Sequence, residues 1–308
     1  MIPPSFAYYA ATTLSEAIGL VRQLGPEAKI LAGGMSLIPL MKLRLATPRH
    51  LVDINRIAGL GYIREAEGFL RIGALTREAE IERSDLLRSK YPILVETAAV
   101  IGDPLVRNMA TVGGNLAHAD PANDHPATML ALEAGVVATG PNGERMIPLT
   151  SFFTGLYETA LEVDEILTEI RIPIPPPHSG GAYLKLERKV GDFATAGVAA
   201  QLTLGRGDLC EGVGIGLTNV GPAPIKARRA EASLRGKRLE PEAIRQAARL
   251  AAEESQPRAD LRGPVEYKRD LVRVLTVRAL TRALERARQG TISVQPSPIS
   301  FQQKQDDR

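Results

Sequence analysis

The sequence predicts an α+β protein, a small α/β unit and a second α+β unit followed by an antiparallel sheet with helices, and three observations carry that prediction. Helix and strand signals alternate over the first 57 residues, a proline-rich break falls at Pro173–Gly181, and three strand-like runs behind it precede two long amphipathic helices. A length of 308 residues fits two or three compact units at ~100 to 200 residues per domain. With 44% apolar and 24% charged residues the chain is able to bury a sizeable core.

The elements follow in order. Thr13–Leu24 opens with a capping candidate at Thr13 or Ser15 and sets Leu14, Ala17, Ile18 and Val21 on one helical face; Gly25-Pro26 ends it. Lys29–Ala32 reads as a short buried strand running into Gly33-Gly34, and Leu51–Ile54 as its parallel partner. Farther on, GFLRIGAL and VVATG read as strands, and Thr76–Arg88 and Pro92–Val100 as helices. Pro173, Pro175, Pro176 and Pro177, with Gly180-Gly181 close behind, exclude a helix or a central strand. Past this break Ala182–Leu186, Ala196–Leu204 and Gly212–Val220 read as antiparallel strands. Pro241–Ser255 and Val265–Gln289 then read as helices, the second with Tyr267, Leu271, Val274 and Leu275 on one face. The units so delimited are 1–57, 58–177 and 178–289; residues 290–308 lack a periodic apolar face and are expected to form a mobile tail.

Composition excludes several function classes. Lys and Arg number 38 against 35 Asp and Glu, too small an excess to imply a nucleic-acid partner, and the basic residues from Lys226 to Arg288 fall at helical spacing, as on a solvated or docking face. Cys210 is alone, so the polypeptide forms no internal disulfide, cysteine zinc site or iron–sulfur cluster of its own. No stretch reaches the ~20 apolar residues of a membrane helix, and the first thirty residues lack a secretory pattern, so a cytoplasmic protein is expected.

Three segments carry chemistry. In Leu31–Leu37 (LAGGMSL), Gly33-Gly34 lets the backbone turn tightly and bring amides to an anion such as a diphosphate, with the Ser36 hydroxyl beside them; a ligand-free turn is the plainer alternative. Met109–Asn115 repeats the pattern, with Gly113-Gly114 between Thr111 and Asn115, and Asp120–Asp124 follows; a carboxylate suits sugar hydroxyls. Two such segments in one chain favour a nucleotide. Neither has the spacing of a Rossmann or P-loop fingerprint, and the Gly212–Gly216 run leads into no helix. In Tyr183–Ala194, Lys185 is able to stabilise negative charge on a reduced flavin and Phe193 to border its ring, although an exposed salt-bridged strand explains that segment equally well. His118, Asp120, Asp124 and His125 lack metal-site spacing, so no metal is expected, and no catalytic acid–base constellation is legible.

Together, AGGMSL, TVGGN, DPANDHPA, LVDINRI at Leu51–Ile57 and LKLERKVGDFATA at Leu184–Ala196 resemble the FAD-binding medium subunits of molybdenum hydroxylases, above all the aerobic carbon monoxide dehydrogenase type, from about Ile2 to Gln289. The resemblance implies a vanillyl-alcohol-oxidase-type FAD-binding fold of two α/β subdomains plus a C-terminal antiparallel sheet with helices. In it, Ala32, Gly33, Gly34, Met35, Ser36 and Leu37 with Thr111, Gly113 and Gly114 would hold the diphosphate. Asn115 and Asp124, with Asp120 near them, would meet the sugar-like part, and Ile166, Leu167, Lys185 and Phe193 would lie near the isoalloxazine. It also implies partners: a small chain with two [2Fe-2S] clusters and a large molybdopterin chain, in a heterotrimer or its dimer. Met35 stands where the carbon monoxide enzymes look to have histidine and Phe193 where tyrosine is common, while the lone Cys210 excludes the extra cluster of the benzoyl-CoA reductase branch. No His or Cys lies inside the glycine segments, so the FAD is expected to be non-covalent. An electron-transfer subunit is the reading so reached, with a self-sufficient flavin oxidoreductase and a nucleotide-binding scaffold as rivals.

Overall fold

A computed structural model describes residues 2–290; the expected mobile tail lies outside the described residues but for Gly290. The chain is α+β throughout. Strand β1 (Ala7–Ala10), helix α1 (Leu14–Leu24), β2 (Ala28–Leu31), α2 (Leu37–Lys42) and β3 (His50–Asp53) form the first unit. The Thr13 hydroxyl caps α1 by accepting from the Glu16 amide at 3.1 Å. The strands are parallel in the order β1-β3-β2, with Leu31 level with Asp53, so β2 and β3 end side by side.

The second unit runs through β4 (Ile63–Ala66), β5 (Phe69–Gly73), α3 (Glu78–Arg83), α4 (Asp85–Lys90), α5 (Pro92–Ala99), α6 (Pro104–Met109), α7 (Val112–His118) and α8 (Asp124–Ala131). It continues with β6 (Gly135–Gly140), β7 (Gly143–Pro148), the hairpin β8 (Phe153–Gly155) and β9 (Glu158–Thr159), and β10 (Ile166–Pro173). Its antiparallel sheet has the order β4-β5-β10-β6-β7. The single helix expected over Thr76–Arg88 is two, because Ser84 leaves helical geometry and its hydroxyl caps α4 by accepting from the Leu87 amide.

The third unit is the antiparallel sheet β11 (Ser179–Leu186), β12 (Ala196–Leu204), β13 (Cys210–Thr218) and β14 (Ile225–Lys226), backed by α9 (Arg228–Leu234), α10 (Pro241–Glu254) and α11 (Val265–Gln289). The Gly180-Gly181 pair lies in β11, an edge strand, where Gly180 lets the backbone of α11 approach at Ala283 and Ala287. The buried face of α11 is Val272, Leu275, Thr276, Ala279, Leu280, Ala283, Leu284 and Ala287, rotated from the expected one; Tyr267 is exposed. Alanines permit the closest approach to the sheet, so they decide which face turns inward. Among the described residues no helix is long and apolar enough to cross a membrane.

Candidate functional site

The first glycine segment leaves the sheet where β2 and β3 end together, the edge at which parallel sheets present ligand sites. Gly34 has φ +74°, in the left-handed region that glycine enters without strain. The amides of Gly33, Gly34, Met35 and Ser36 find no acceptor among the described residues. Met35 lies at the rim, about one third exposed. A Cβ on Gly33 would overlap the carbonyl oxygen of Met109, so this segment lies directly against the second.

The second segment differs from the open loop that the sequence suggests. Thr111 is the N-cap of α7, its hydroxyl accepting from the Gly114 amide at 3.1 Å, while the Gly113 amide donates to Ala74 O at 3.0 Å. The glycine pair therefore occupies the first turn of a helix, and both amides are spent inside the chain. What Gly113 supplies is closeness: a Cβ there would stand 2.5 Å from the Ala74 side chain at the end of β5. Gly114 faces the first segment, its added Cβ 3.8 Å from that of Ala32. Next to it, Asn115 Oδ1 is buried with no hydrogen-bond partner, although the Asn115 carbonyl accepts from Asn123 Nδ2 at 2.8 Å. An orphaned buried acceptor is uncommon and points to a donor from outside the chain.

Two residues that sequence reasoning passed over join these segments. Asn55, just beyond β3, donates from Nδ2 to Ala32 O at 2.7 Å and accepts at Oδ1 from Arg77 Nη2 at 2.7 Å. Arg77 Nη1 donates in turn to Met109 O, the atom that Gly33 abuts. The LVDINRI motif contains Asn55, and its place straight after a strand is the signal that could have singled it out.

The remaining expected residues are spread over this site and the core below it. Asp120 is half-buried; Oδ1 accepts from the Ala122 amide at 2.9 Å and Oδ2 from Tyr157 Oη at 3.3 Å, while Tyr157 packs on the His118 ring. Asp124 was expected at the sugar, but its carboxylate is buried, taking Tyr183 Oη at 2.5 Å and Lys185 Nζ at 3.1 Å. Burial and the Asp124 carboxylate hold Tyr183 well above its ordinary pKa, so it remains a donor. Lys185 Nζ also donates to Val100 O at 2.7 Å and Asp192 O at 3.1 Å, which uses all three of its protons. The flavin-facing ammonium that the sequence suggested is here a buried tie between β11 and the end of α5. Ile166 and Leu167 are core side chains, packed into the first and second units respectively. Phe193 is about half exposed, with the Arg262 guanidinium 6.0 Å over its ring, on a loop held to the α5–α6 corner by Gly191 against Gly102. His125 pairs with Glu78 at 2.6 Å, both fully buried.

Comparison with known proteins identifies the family. The family model described as the FAD binding domain in molybdopterin dehydrogenase matches residues 4–175, and that of the CO dehydrogenase flavoprotein C-terminal domain matches 181–283. The chain is 45% identical to the carbon monoxide dehydrogenase medium chain of Hydrogenophaga pseudoflava over 286 residues, covering 93% of this chain and 99% of the relative. Against the medium chain of Afipia carboxidovorans it is 46% identical over 288 residues, covering 94% and 100%. The solved carbon monoxide dehydrogenase from Hydrogenophaga pseudoflava that lacks the Mo-pyranopterin moiety of its cofactor superposes with a TM-score of 0.90 at 47% identity, covering 93% of this chain and 99% of that one.

Proposed function

Because the chain belongs to the family of FAD-binding domains of molybdopterin dehydrogenases, with a C-terminal domain of the CO dehydrogenase flavoprotein kind, we propose that it is the flavin-carrying, electron-transferring medium subunit of a molybdenum hydroxylase. The observation that carries this reading is the meeting of the two glycine segments, where unengaged amides at Gly33–Ser36 lie beside the buried, unpartnered Asn115 Oδ1. FAD fits both features: its diphosphate takes the amides, and a ribityl or ribose hydroxyl supplies the donor that Asn115 lacks.

In this reading residues 1–57 and 58–177 enclose the dinucleotide in a fold of the vanillyl-alcohol-oxidase type, and 178–289 cover it and carry docking helices. Asp120 lies close enough to the surface to reach a sugar hydroxyl. Asp124, Tyr183 and Lys185 form the buried floor that holds α8 in place against β11. Bound non-covalently, FAD supplies a carrier that takes up electrons singly and releases them in pairs. The donors are [2Fe-2S] clusters on a small partner chain, fed by a molybdopterin centre on a large one, in a heterotrimer or its dimer. Relatives named as medium chains of carbon monoxide dehydrogenase support that assembly.

The test is turnover. The isolated chain should bind one FAD yet oxidise small organic substrates negligibly, with activity appearing when both partner chains are added. Oxidation by the chain alone at about 1 s⁻¹ or faster would replace this reading with a self-sufficient oxidoreductase.

A further inference from the structure

We propose that Arg77 is a positioning residue for the diphosphate of the dinucleotide: it holds the two glycine segments at one spacing and lends the site its unpaired positive charge. The inference deepens the flavin reading and rests on it. Arg77 stands half-buried at the start of α3, and its guanidinium reaches two places at once. One nitrogen meets Asn55 Oδ1, whose own amide grips Ala32 O in the first segment; the other meets Met109 O, two residues before the Thr111 cap of the second. Met109 O is also the atom that Gly33 can approach only because it lacks a Cβ. One planar, forked cation thus sets the distance between a segment with free amides and a helix that begins beside it, a task that suits arginine's rigid geometry.

The charge is the second half of the case. Both acceptors of the guanidinium are neutral, and no carboxylate among the described residues forms an ion pair with it; the adjacent Glu78 is buried against His125, and Glu80 accepts from the Arg77 backbone amide at 2.7 Å instead. A half-buried cation without a counter-ion, at the junction where the diphosphate would lie, favours an anion there.

FAD titration of the full-length apo chain, followed by flavin fluorescence at low and high salt, tests this. Arg77→Met should raise the Kd about tenfold or more and flatten its dependence on salt, since a charge facing the diphosphate is gone. Arg77→Lys keeps the charge but loses one prong, so its Kd should rise by less, about threefold or more, while the salt dependence stays. A parent chain that binds no FAD sinks the flavin reading itself. A parent that binds, with Arg77→Met within twofold of it or weakened with unchanged salt dependence, overturns the role of Arg77 alone. Should far-ultraviolet circular dichroism show Arg77→Met unfolded, Arg77→Lys decides, and an unaltered Kd there overturns the proposal.

Discussion

Gly33 and Asn115 make opposite demands on the chain, and each can be read in a single substitution. Gly33→Ala places a methyl group against Met109 O, so one of the two segments must move. Overpacking of this kind costs about 1–3 kcal/mol, so the urea midpoint should fall and bound FAD should be lost together. Stoichiometric flavin at unchanged stability would refute the close contact. Asn115→Leu behaves otherwise, because it removes an acceptor that is buried without a partner. The apo chain should hold or gain stability, by up to about 1–3 kcal/mol, while FAD affinity drops about tenfold. A loss of stability with unaltered affinity would make Asn115 a structural residue and remove it from the site.

At the scale of elements, the loop from Leu186 to Thr195 and helix α8 show how the core supports the site. Asp192 fixes that loop: burial opposes its ionisation, but hydrogen bonds from Arg262, Arg188 and the Phe193 amide outweigh it and pull its pKa down from 3.8 to about 2. A carboxyl whose folded pKa is depressed contributes stability above its unfolded value and loses it as pH falls towards the folded one. Denaturant unfolding of the parent and of Asp192→Asn should therefore differ most at neutral pH, the gap closing as pH drops from about 4 towards 2. A gap that stays constant across that range would exclude Asp192 as its source. Helix α8, which carries Asp124 and His125, lies on β13 through Gly214 and Gly216, where a Cβ would strike the carbonyls of Ala131 and Ala127. Gly216→Ala should push α8 off the sheet at a cost of about 1–3 kcal/mol, measured by thermal unfolding. Because α8 carries none of the free amides, flavin affinity should fall by less than in Gly33→Ala.

For the molecule as a whole, the proposed function has the three units divide the labour between holding a dinucleotide and presenting basic helices to partners. In a complex rebuilt with all three chains, substrate should reduce the clusters first and then bleach the flavin. With Gly33→Ala, expected to lack flavin, the clusters should still be reduced, while delivery of electrons to an external acceptor falls towards background. Undiminished delivery through the flavin-free complex would mean that electrons bypass this chain, and the electron-transfer role would be abandoned.

Much of the fold is legible in the sequence because its signals are local. The cap and 3.6-residue period of α1, the extents of α10 and α11, the proline break before β11 and the glycine pair after β2 each lie within a few residues of the structure they specify. The resemblance in motif order likewise comes from the sequence alone, and with it the flavin. Tertiary structure decided the rest, since a donor's partner depends on which distant segments the topology brings together. Asp124 finds Lys185 across 61 residues and Lys185 finds Val100 across 85, so two side chains that read as flavin contacts became buried ties. Arg77 and Asn55, 22 residues apart, read as ordinary polar residues until the strands placed them between the glycine segments. The helix that begins at Thr111 was hidden for a related reason: glycine is a poor helix former, and only the close approach of Ala74 makes it the residue that fits.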